Sequence, residues 1–113
     1  MGSFEANDEH KSEELRPLRV AVRREDVYAE ARSQVADLPG WSVLSADDAA
    51  LVIRCERRGG LLGGAARVTI TVEGPEGIPS ATVHVRSESD GGLFSRDRAT
   101  VLEFLRPFRR RIG

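Results

Sequence analysis

One cysteine, one tryptophan, one tyrosine, one lysine and two histidines are what this 113-residue chain holds of several chemically distinctive side chains. With Cys55 alone, no intrachain disulfide can form, and nothing ties the chain to an oxidising compartment. His10, His84 and a single thiol make no cluster at zinc-ligand spacing, so no metal or other cofactor is expected. No run approaches the roughly 20 apolar residues of a membrane-spanning helix. No apolar segment follows the amino terminus as a secretory leader would, which makes the cytoplasm the expected compartment. Charge of one sign is missing too. Seventeen basic side chains face eighteen acidic ones, and a net charge of -1 gives no general affinity for nucleic acid or anionic membrane.

What is there reads as a folded domain. Apolar residues at 40% and charged residues at 31% can build one modest core, and the length fits a single domain. The basic residues are sixteen arginines and Lys11, so positive charge here is planar guanidinium suited to bidentate pairing. It is unevenly spread: residues 5–14 are acidic and residues 106–111 are basic. Residues 1–15 have no sustained apolar period and are expected to form a disordered tail ahead of one domain over 16–113.

Periodicity orders the rest. Leu18, Val20 and Val22 alternate with polar or small neighbours, a short strand. Val27, Ala31, Val35 and Leu38 then recur at helical spacing, with Glu25 and Asp26 in the first turn and Pro39-Gly40 as the stop. Trp41 and Val43 open a strand, Asp47-Asp48 make a turn, and residues 50–56 form the next strand. After the break at 57–65, Val68, Ile70 and Val72 alternate with Arg67, Thr69 and Thr71. The turn-rich EGPEGIPS leads into a strand with Ala81, Val83 and Val85 on one face. Ser95 is a candidate N-cap for a last helix bearing Val101, Leu105, Phe108 and Ile112, and Pro107 should kink or stop it near Arg106. The reading is α+β: one two-layer domain, β-α-β-β-β-β-α, an antiparallel sheet with two helices on one face. Trp41, Ile53, Ile70, Val83, Val85, Leu105 and Phe108 should be buried, and Arg54, Thr69, Thr82 and His84 should face away from the helices.

The stretches LPGWSVLSADDAALVIRCE, ARVTITV and ATVHVRSESDGG resemble, in that order, the DUF1499 family of uncharacterised bacterial and plastid proteins. The match is strongest at Leu38–Trp41 and Val85–Gly92, where Arg86, Ser87, Ser89 and Gly92 fit an Arg-Ser-x-Ser strand end followed by a glycine-containing loop. The chain departs from that pattern at Asp90, where the family usually has Arg. The resemblance implies a fold and a closing helix; it carries no settled activity.

No residue pattern marks a catalytic centre. No G-x-S-x-G surrounds a serine, and His84 lacks a nucleophile on its own parity. The candidate ligand site is the strand end: Arg86 as a fork for a small anion, with His84, Ser87, Ser89, Gly91 and Gly92 around it. Against it stands a purely structural corner, with Arg86 paired to Glu88, Asp90 or Glu56. RRGGLLGGAAR lacks the order of a phosphate loop, but Leu61-Leu62 at its tip is a candidate contact for a protein partner or a second copy. The basic end RPFRRRI reads as a solvated helix terminus rather than a nucleic-acid contact. Two function classes follow: a non-catalytic binding or protein-interaction module, or a small-ligand carrier or enzyme with a pocket between sheet and helices, as in helix-grip folds. A carrier needs a cavity of some hundreds of Å³ on the inward side. A binding module needs a filled core.

Overall fold

The computed structural model describes residues 2–5, 17–58, 65–89 and 97–112. In chain order the elements are β1 (Gly2–Glu5), β2 (Leu18–Val20), α1 (Arg24–Asp37), β3 (Trp41–Asp47), β4 (Val52–Arg57), β5 (Ala66–Glu73), β6 (Ala81–Ser89) and α2 (Asp97–Ile112). All strand pairs are antiparallel, and β6, β5, β4 and β3 lie side by side as a meander. β1 and β2 share the remaining edge of β6 end to end, with Gly2 opposite Ser89 and Leu18 opposite Val83, so six strands make a sheet five wide. Both helices cover one face.

That face is the one the alternation assigns. Ile53, Cys55, Val68, Ile70, Val83 and Val85 point inward and are buried, together with Val27, Ala31 and Val35 of α1 and Val101, Leu105 and Phe108 of α2. Phe104 adds a ring that the heptad-like stripe omits; it stacks on Phe108 at 5.0 Å between centroids and tilts against Trp41 at 6.2 Å. Arg54 is exposed, and Thr69, Thr82 and His84 are half-buried on the other face, as expected.

Three expectations change. Residues 2–5 are a strand rather than disordered tail, because the edge of β6 offers unpaired backbone groups that even a short polar segment can satisfy. The strand expected from residue 50 begins at Val52, since Ala49 and Ala50 donate backbone N–H groups to the Asp47 carboxylate at 3.1 and 3.0 Å. Leu51 completes that turn with a left-handed φ of 57° and is buried, its carbonyl accepting from the Val72 amide. The last helix does not stop near Arg106: it runs through Pro107 to Ile112. Proline removes the bond to the Glu103 carbonyl, but buried Phe104, Leu105 and Phe108 hold the turns on either side. The strand after the turn runs to Ser89, the strand end anticipated for it, with β1 and β5 flanking it there.

Side-chain ties lock the layers. Glu103 of α2 accepts from the Trp41 indole at 2.5 Å and from Arg57 Nε at 2.8 Å. At the far end Tyr28 of α1 donates to Asp48 at 2.6 Å, and burial with that bond pushes its hydroxyl up to about 12. Arg111 bridges the helices by donating to Glu30 and Asp37, both at 2.8 Å.

Candidate functional site

Arg86 and Ser87 lie on opposite faces of the sheet. Arg86 is exposed on the helix-free face, and its Nε lies 2.9 Å from Glu88 Oε1, one of the structural partners anticipated for it. His84 stands beside it on the same face, 3.3 Å from Glu73 Oε2. Ser87 points the opposite way: it is fully buried under the helices and engaged there. Ser89 closes β6, opposite Gly2 and Ala66. Gly91, Gly92, Leu61 and Leu62 lie outside the described residues, as does the proposed N-cap Ser95. Parity alone separates Arg86 from Ser87, so a common fork of the two is not what the strand builds.

The helix-covered side is packed. A side chain lining a void large enough for water would expose surface to it, yet Phe104, Phe108, Ile53, Ile70, Leu105, Val83 and Val85 all show 0% exposure. Cys55 sits among them at 1% exposure, its thiol 3.3 Å from the Val68 carbonyl, and burial pushes its pKa up to about 12. It is a small core residue and not a nucleophile. Among the described residues, no group of three or more His, Cys, Asp and Glu is placed to hold a metal ion.

A concavity lies on the other side. A groove of about 340 Å³ runs over β3 to β6 on the helix-free face. Its walls are Leu44, Ser45, Arg54, Arg67, Thr69 and Glu88, and its floor includes Cys55 and Val68, whose buried side chains leave their backbone to form it. Register explains the grouping. Ser45, Arg54, Thr69 and Arg86 form one row across four strands; Ser42, Glu56, Arg67 and Glu88 form the next. A bulge between Val43 and Ser45 leaves Leu44 as the extra residue on the edge strand and turns it out, 53% exposed. Sequence alternation supplies the outward parity of Arg54, Arg67 and Thr69, but the bulge and the strand register that bring Leu44 to them have no local signal.

No family model matches the chain, and no curated protein matches its sequence. Solved structures do share its fold. The di-domain ARO/CYC BexL from the BE-7585A biosynthetic pathway aligns with a TM-score of 0.60 at 16% identity over 97% of this chain, which spans only 47% of that protein. Ara h 8.0201 aligns at 0.56 and 8% identity, covering 98% of this chain and 97% of its own. A Thermobifida fusca protein solved in solution aligns at 0.51 and 15% identity, over 100% of this chain and 83% of its own. The shared arrangement is of the helix-grip kind, helices held against an antiparallel sheet. At these identities the likeness extends to the fold alone.

Proposed function

We propose that the domain is a non-catalytic binding module that works through its open sheet face. The observation that carries this reading is the packed inner face: core side chains of both helices and three strands have no exposed surface, while the groove opens on the outer side. A carrier or enzyme with a pocket between sheet and helices needs inward-lined space of some hundreds of Å³, and the core side chains leave none beside them. Ligand, partner protein or second copy would then meet the rows of Arg, Thr, Glu and His side chains that the outward parity presents. The DUF1499-like strand end belongs to the same face through Arg86, and that kinship stays part of the proposal. A neutral fluorescent probe of apolar cavities, N-phenyl-1-naphthylamine, tests it directly. The folded domain is expected to give no fluorescence gain, and a gain saturating at one probe per chain would overturn the reading.

A further inference from the structure

Among the described residues, two guanidinium groups on the open face have no partner. Arg86, the outward arginine of β6, is occupied by Glu88. Arg54 and Arg67 make no ion pair or hydrogen bond among the described residues, although each has carboxylates or hydroxyls on neighbouring strands. Glu56, opposite Arg67 in register, forms no ion pair with it and does not wall the groove. Because Arg54 pairs with Thr69 and Arg67 with Glu56, the two arginines are diagonal neighbours, with Cβ atoms no more than about 7 Å apart. Two such forks can close on one anionic group from both sides.

The rest of the groove has matching chemistry. Thr69 and Ser45 bring hydroxyls to the rows that hold Arg54. Leu44 supplies an apolar wall, raised by the bulge and half out of the fold. Among the described residues Glu88 is the acidic wall residue, and its carboxylate is turned to Arg86 at 2.9 Å, which offsets its charge where an anion would sit.

We infer that the groove is a site for a small organic anion: Arg54 and Arg67 hold its carboxylate or phosphate, and its apolar body lies on Leu44. The inference rests on the open-face reading and names its ligand class. Arg86 acts as a positioning residue, keeping Glu88 away from Arg67, which stands opposite Glu88 in register.

The test is a titration of the full chain followed by amide chemical shifts, with inorganic phosphate and with acetate, butyrate and hexanoate as probes. Shifts should centre on Leu44, Ser45, Arg54, Arg67 and Thr69. Affinity in the carboxylate series should rise about two- to four-fold per methylene, the upper figure being full burial of that group. R54Q and R67Q should each weaken binding of every probe about ten-fold, the scale of one lost charge-assisted bond. Leu44→Ser should flatten the chain-length series and leave phosphate binding unchanged. Arg86→Ala should weaken binding by freeing Glu88, and adding Glu88→Gln should restore it. No shift with any probe, or binding that survives R54Q and R67Q together, overturns the inference. Shifts gathered elsewhere on the open face overturn it and leave the open-face reading standing. Shifts at Ile53, Ile70 and Val85 that grow with chain length overturn both.

Discussion

Replacing Glu103 by alanine separates α2 from the β3–β4 corner at two bonds at once. The carboxylate accepts from Trp41 Nε1 at 2.5 Å and Arg57 Nε at 2.8 Å, partners 62 and 46 residues away in the chain. Trp41 is only 7% exposed, so its indole N–H would be left largely dry, at a cost of about 1–3 kcal/mol. Arg57 and Glu103 are 28% and 31% exposed, so water recovers much of that pair, and its loss adds about 0.5–1 kcal/mol. The sum is about 1.5–4 kcal/mol, which for a domain of this size lowers Tm by about 6–16 °C. Glu103→Gln keeps an acceptor for the indole and should cost about 1 kcal/mol or less. Urea unfolding followed by fluorescence reads this well, because Trp41 is the sole tryptophan and is itself a partner. A Glu103→Ala variant within about 0.5 kcal/mol of wild type, the scale of ordinary surface changes, would refute the reasoning. So would Glu103→Gln proving as damaging as the alanine.

Three further outcomes are expected. Gly74→Ala should destabilise by about 1–3 kcal/mol, because an added Cβ would strike the backbone carbonyl of Ser80 across the β5–β6 turn; a neutral result by thermal melting would show that the turn yields. Cys55 should resist thiol reagents until the chain unfolds. Its pKa rises from 9.0 to about 12 on folding, so stability present below pH 9 is lost as pH climbs toward 12, and Cys55→Val should show a shallower decline over that window. Deleting residues 1–5 should cost about 1 kcal/mol through the lost β1–β6 ladder, and promote self-association through the bared strand edge, visible by analytical ultracentrifugation; an unchanged melt and a monomeric variant would contradict it.

Much of the fold was legible because a half-buried sheet writes its parity into the chain. Ile53 and Cys55, Val68 and Ile70, and Val83 and Val85 are inward residues spaced by two, and they name the core face without any tertiary knowledge. The same alternation separated Arg86 from Ser87. What stayed hidden depends on partners distant in sequence. Gly2–Glu5 has no apolar period and becomes a strand only because β6 lies beside it. Pro107 is a helix breaker by local rules, overruled by the burial of Phe104 and Phe108 around it. The groove needs Leu44, Arg54, Arg67 and Glu88 from four strands, joined by register and by one bulge, and no window of sequence contains that geometry.

The shared edge of β6 bears on how the chain reaches this state. β3 to β6 are a run of hairpins, each strand pairing with the next in sequence, and such contacts close short loops at small entropic cost. β1 and β2 are different: Gly2 must find Ser89 and Leu18 must find Val83 across most of the chain's length. Contacts of that separation are slow to form and raise the contact order of an otherwise local sheet. The meander is therefore expected to condense first and the amino-terminal strands to dock last, so that residues 2–5 and 18–20 set how fast the domain comes apart more than how fast it assembles.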